Sequence, residues 1–197
     1  DKVDMTVENL NSAVALAVTA LGKEKNKITI VNGAATARLT NEDCAPATGI
    51  HYLHDTIALG NVVGKAVVKD GGNSWYFLTA DYAFGHSLEK DTGDVVKAAG
   101  GKVLGAGRHP LSTGDFSSFL LQAQSSGAKV VGLANAGMDT VNSVKSAAEF
   151  GLTKKQNLAA LLMLITDVHP IGLNTAQGLY LTEAWYWDMN NETRAWA

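Results

Sequence analysis

The 197-residue chain has a single cysteine, Cys44. One thiol cannot close an internal disulfide or build a cysteine zinc site. Proline is almost as scarce, with 3 residues against 20 glycines. That balance suits short strand–helix loops and gives no Pro-rich linker. Basic side chains are neither abundant nor clustered: Lys and Arg number 16 and Asp and Glu 19, a formal charge of −3. Phosphate backbones demand concentrated Lys and Arg, so nucleic acid is excluded as the expected partner. No apolar run approaches the ~20 residues of a membrane span. The opening Asp1-Lys2-Val3-Asp4 shows neither a basic nor an apolar leader, as in a mature or trimmed product.

Several catalytic and cofactor signatures are missing too. No G-x-G-x-x-G follows an expected strand. Gly60-Asn61-Val62-Val63-Gly64-Lys65-Ala66 imitates a phosphate loop but is one residue short, has Ala66 where a magnesium-binding hydroxyl belongs, and sits in a helical pattern. There is no G-x-S-x-G and no H-E-x-x-H. His51 and His54, three residues apart beside Asp55, have a spacing that could ligate a metal on a helix. They straddle a loop-to-helix crossing, so a lining or structural role is expected. His86, His109 and His169 stand alone. No cofactor and no metal are called for.

What is present is a rhythm. Trp75 to Pro110 reads as an apolar strand, a loop at Thr79–Gly85, a helix with Phe84, Leu88, Val95, Val96 and Ala99 on one face, and a second strand from Lys102. That length suits a parallel crossover. Further strands are expected at Val3–Val7, Ile28–Val31, Lys129–Ala134, Leu158–Ile165 and Gly178–Thr182. Helices are expected after Asn11 or Ser12, at Asp55–Val68, after Asp115, at Thr140–Phe150 and at the carboxyl end. Residues 37–52 look irregular, and a domain change is expected near His51–Thr56. The class is α/β with mainly parallel sheets.

Four loops fall at strand carboxyl ends, where parallel sheets bind ligands: Asn32–Thr36, Thr79–Tyr82, Asn135–Asp139 and Thr166–His169. None assembles a nucleophile with a base. The pattern suits binding of a small ligand without turnover. The aromatic cluster Trp185-Tyr186-Trp187 is expected to pack in a core or interface, with cleft lining as the alternative.

Six motifs in chain order carry a resemblance. They are Asn11-Ser12-Ala13 before a small-residue helix, Gly33-Ala34-Ala35-Thr36, Trp75–Gly85, Asp115–Ala123, Val130–Asp139 and Ala148–Leu152. Together they resemble the branched-chain amino-acid (leucine/isoleucine/valine) type of periplasmic substrate-binding protein of ABC transporters. The resemblance implies two periplasmic-binding-protein type I lobes, and it identifies the chain as an internal piece of a longer protein. Residues 1–53 would be part of the N-terminal lobe, 54–184 the C-terminal lobe, and 185–197 a segment returning toward the first.

The resemblance also implies site roles. Ser12 would hold a ligand carboxylate at a helix start, where free amides favour an anion. Ala34 and Thr36 match a loop that holds carboxylate and amine. Tyr82 matches an aromatic that closes over the ligand, and Asn135 or Ala136 falls where a second aromatic often stands. Asp167 is the nearest candidate for an α-ammonium partner. The ligand would be a branched-chain or other amino acid, or an aromatic acid. The implied partner is a membrane permease, and the implied location is periplasmic, or extracytoplasmic with a lipid anchor. A shortened amino-terminal sheet is expected to self-associate or to expose apolar surface. Two alternatives are an α/β enzyme using Asp81, His86 or His169, and a ligand-sensing receptor domain of the same fold.

Overall fold

A computed structural model describes residues 2–197; the reading of Asp1-Lys2-Val3-Asp4 as the opening of a mature or trimmed product lies partly outside that range. The chain forms two parallel sheets. The first holds β1 (Met5–Val7), β2 (Ile28–Val31) and β3 (Gly49–His51), in that order. Helix α1 (Ser12–Lys25) crosses from β1 to β2. It starts where the Asn11 side chain accepts bonds from the amides of Ala13 and Val14, and it ends at Asn26 in the left-handed region. Ala15, Thr19 and Gly22 are its buried side, a small-residue stripe that lets the helix lie close to the strands.

Strand β3 departs from the expected irregular stretch at 37–52. A one-turn 3₁₀ helix, Ala37–Leu39, precedes it, and Gly49-Ile50-His51 then pairs with β2. Three residues with one apolar side chain carry no readable alternation, so pairing with β2 decides their conformation.

The second sheet follows α2 (Thr56–Lys69), which the Asp55 carboxylate caps through the Ala58 amide. Next come β4 (Ser74–Ala80), α3 (Ala83–Ala98), β5 (Lys102–His109), α4 (Ser117–Ser125), β6 (Val130–Ala134) and α5 (Met138–Glu149). Then come β7 (Asn157–Ala160), the short helices α6 (Ile165–Ile171) and α7 (Leu173–Ala176), β8 (Tyr180–Leu181) and α8 (Asn191–Trp196). Strand order is β5-β4-β6-β7-β8, all parallel.

Strand β4 is buried on both faces, which explains its unbroken apolar run. Trp75 and Phe77 pack toward Leu59, Val63 and Val67 of α2 and Leu88 and Val96 of α3. Tyr76 and Leu78 pack the other way, with Phe116, Leu120 of α4, and Val141 and Val144 of α5. Each such side chain contributes roughly 1.5–3 kcal/mol on burial, so this sheet is the rigid platform. No helix among the described residues is long and apolar enough to cross a membrane.

Several boundaries differ from expectation, including the start of α5 at Met138, which takes Met138 and Asp139 out of the expected loop. Thr79 and Ala80 belong to β4, leaving only Asp81 and Tyr82 as a link to α3. The strand expected through Ile165 stops at Ala160, and Thr166–His169 is helix rather than loop. Asp167 folds back to accept from the Leu164 amide, which starts that helix. Asp115 sits one residue before the helix cap, bonded to the Ser117 amide, while Phe116 is wholly buried.

Candidate functional site

A cavity of about 580 Å³ opens where carboxyl ends of both sheets face one another. The first sheet contributes the β1–α1 turn, with Glu8, Leu10, Asn11 and Ser12, and the start of the loop after β2, with Asn32 and Gly33. Leu53 and His54 line it from the crossing between the sheets. The second sheet adds Tyr82 and Phe84 after β4, Ala136 and Gly137 after β6, and Leu162, Leu164 and Asp167 after β7. The wall is thus mostly apolar with a few polar groups, the usual make-up of a small-molecule site.

Ser12 is the first residue of α1 and is buried. Its Oγ accepts from the Thr36 amide at 3.3 Å, which leaves its own O–H free to donate into the cavity. The rest of the helix start is less available, because Asn11 already occupies the amides of Ala13 and Val14. The hydroxyl of Ser12 is therefore the better carboxylate donor here than the bare helix end. Across the cavity Tyr82 caps α3 in an extended conformation, its ring 5.9 Å from that of Phe84. Burial, with the nearby charge of Asp139, pushes its phenol up to about 12. Tyr82 therefore stays protonated and can donate at any physiological pH.

Two glycines permit these approaches. A Cβ on Gly33 would fall 2.2 Å from a carboxylate oxygen of Glu8. A Cβ on Gly85 would fall 2.0 Å from the Ala80 carbonyl oxygen, so the tight strand-to-helix turn that presents Tyr82 requires glycine. Glu8 and Asn9 both take left-handed backbone, with φ of 84° and 69°, turning the chain sharply from β1 into the cavity wall.

The structure brings Ser12, Tyr82, Ala136 and Asp167 to one cavity. It places Ala34, Thr36 and Asn135 behind the wall, each committed to the protein. Ala34 is fully buried, and its carbonyl accepts from His51 Nε2 at 2.7 Å. Thr36 is fully buried too, with Oγ1 2.7 Å from Ser87 Oγ and accepting from the Arg38 amide. Asn135 accepts from Thr140 Oγ1 and donates to His109 Nε2, forming an internal polar chain. His51 and His54 diverge: the first turns to Ala34, the second to the cavity. No cluster of three metal-ligating side chains exists among the described residues. Burial lowers the His54 pKa, with His51 adding and Asp55 opposing, so the imidazole is neutral at pH 7.

Glu8, Leu10, Leu162 and Leu164 escaped the sequence reading. Glu8 and Leu10 follow β1 as Asn32 and Gly33 follow β2, so the carboxyl-end rule could have found them. Leu162 and Leu164 lie inside an apolar run whose pattern predicts strand, although β7 ends at Ala160.

The chain has clear likenesses. A family model described as "Periplasmic binding protein" matches residues 1–197. A periplasmic binding protein from Burkholderia mallei is 59% identical, with a TM-score of 0.94 over 99% of this chain and 52% of that one. A branched chain amino acid ABC transporter periplasmic ligand-binding protein from Burkholderia xenovorans is 34% identical, with a TM-score of 0.82 over 99% and 52%. A solute binding protein of an ABC transporter from R. palustris, solved with 4-hydroxybenzoate, is 26% identical, with a TM-score of 0.74 over 89% and 47%. The chain thus spans about half the length of each. No curated protein matches it. With a match along its full sequence and two parallel sheets meeting at a ligand-sized cavity, the chain belongs to the periplasmic binding protein family.

Proposed function

We propose that this chain is the central part of an extracytoplasmic solute-binding component of an ABC importer. It holds a small carboxylate, a branched-chain or other amino acid or an aromatic acid, between two lobes and releases it unchanged to a membrane permease. The observation that carries this reading is the pairing of a free Ser12 O–H with Tyr82 across one cavity formed by two sheets. The names of the Burkholderia xenovorans and R. palustris relatives support the ligand class.

In this reading residues 1–53 belong to one lobe, 54–184 to the other, and 185–197 return to the first. Ligand binding draws Tyr82 toward Ser12, and the closed form docks on the permease. Asp167 faces the cavity with one carboxylate oxygen committed to the Leu164 amide, leaving the other for an ammonium. Turnover has little to support it. Asp81 and His86 are bonded to each other at 2.7 Å, and neither they nor His169 line the main cavity. Calorimetric titration of the complete protein with amino acids and aromatic acids tests the reading: micromolar or tighter binding of a carboxylate is expected, and silence across both panels overturns it.

A further inference from the structure

His54 is the one imidazole lining the cavity, and neither of its ring nitrogens is spent on a protein partner among the described residues. His51, His86 and His109 each give a ring nitrogen to a protein partner. His54 has no hydrogen bond to the protein among the described residues, though it is half-buried and lines the cavity. Its neighbour Asp55 does not claim it, because that carboxylate caps α2 through Ala58 and lies against Thr40 Oγ1. Both ring nitrogens are therefore open to a ligand, and a bound ligand that dehydrates them without bonding them costs free energy.

The chemistry of the surroundings narrows what that ligand group is. Glu8 and Asp167 line the same cavity, and no Lys or Arg does. A second carboxylate on the ligand would therefore meet two negative charges. An ammonium would be drawn to those carboxylates rather than to an imidazole. A neutral imidazole offers one donor and one acceptor, the complement of a hydroxyl.

We propose that His54 is a specificity-determining residue, and that it selects carboxylates carrying a hydroxyl away from the carboxylate by hydrogen-bonding that hydroxyl. The proposal rests on the carboxylate-binding reading above. Ser12 anchors the acid end, the apolar wall takes the body of the ligand, and His54 reads the far group. A ligand lacking the hydroxyl leaves the imidazole desolvated and unpaired, which is the source of the discrimination.

The test is calorimetric titration of the complete protein with two matched pairs, 4-hydroxybenzoate against benzoate and tyrosine against phenylalanine. In at least one pair the hydroxylated acid is expected to bind roughly tenfold more tightly, the worth of about one hydrogen bond. His54→Leu should abolish that preference, bringing the two members of a pair to similar affinities, and His54→Gln should restore part of it. The proposal is overturned if the unaltered protein shows no preference in either pair, or if His54→Leu weakens both members of a pair equally. Binding of plain acids without discrimination sinks the His54 role alone. Failure of the unaltered protein to bind any of the four acids overturns the carboxylate reading and this proposal with it.

Discussion

The hydroxyls of Thr36 and Ser87 lie 2.7 Å apart, joining the loop after β2 in the first sheet to helix α3 on the second. The same loop is held a second time: Thr56 Oγ1 accepts from the Ala37 amide and donates to Asp91 Oδ2 at 2.6 Å. Because the Thr36 amide also fixes Ser12, these bonds couple the proposed ligand anchor to the helix that carries Tyr82.

Ser87→Ala should remove one of the two ties and lower the stability of the complete protein by about 1 kcal/mol. Chemical denaturation measures it. The change should also leave Thr36 bonded to the Arg38 amide, so the loss stays below that of burying an unpaired hydroxyl.

Two glycines on α3 should respond oppositely to alanine. Gly85→Ala drives a methyl into the Ala80 carbonyl and is expected to cost about 3 kcal/mol or more and to displace Tyr82. At Gly93 the nearest atom to an added Cβ is 3.6 Å away, so Gly93→Ala should be neutral or stabilise by up to about 1 kcal/mol through helix propensity. Melting curves of both variants check the pair, and equal losses would contradict the packing described.

Much of this arrangement was legible beforehand. The unbroken apolar run of β4, the Asn11 and Asp55 caps and the parallel crossovers follow from residue pattern alone. The site was legible only in part. Ser12 and Tyr82 lie at strand carboxyl ends and face the cavity, whereas Thr36 and Asn135 share that address but turn inward to Ser87 and His109. Which way a polar side chain turns depends on partners more than 25 residues distant, and no local pattern encodes them. The three-residue β3 and the helix at Asp167 likewise depend on tertiary pairing and on one capping bond.

Asp91 gives a pH signature. Burial raises its pKa above the ordinary 3.8, against the lowering effects of Thr56 and Lys90. A raised folded value means the protonated form is favoured in the folded state, so this contribution is complete below 3.8 and is lost as pH rises through the folded value. At neutral pH the ionised group is a net cost. Asp91→Asn, which can still accept from Thr56, should be at least as stable as the parent at pH 7. It should also lose the parent's decline in stability over the interval just above 3.8. Denaturant midpoints across pH 3.5 to 7 measure this, and a variant clearly weaker at pH 7 would contradict it.

The uncovered face of the first sheet makes its own prediction. Met5 pairs with Ile28 and Ile30 with Ile50, and Met5, Ile28 and Ile50 are each about half exposed. The 197-residue chain on its own should self-associate through this face. Sedimentation should show dimers or larger species, and Ile28→Thr with Ile50→Thr should shift them toward monomer. A parent chain that sediments purely as monomer would contradict it.

The central claim is that Ser12 donates to a ligand carboxylate in a cavity shared by both sheets. Calorimetry of the complete protein with its best-binding acid, before and after Ser12→Ala, tests it most directly. The account predicts a loss of roughly tenfold or more in affinity, because the variant removes the hydroxyl donor and the Thr36 amide's acceptor together, and no Lys or Arg lines the cavity to substitute for the lost donor. Unchanged affinity in a folded Ser12→Ala protein would contradict it.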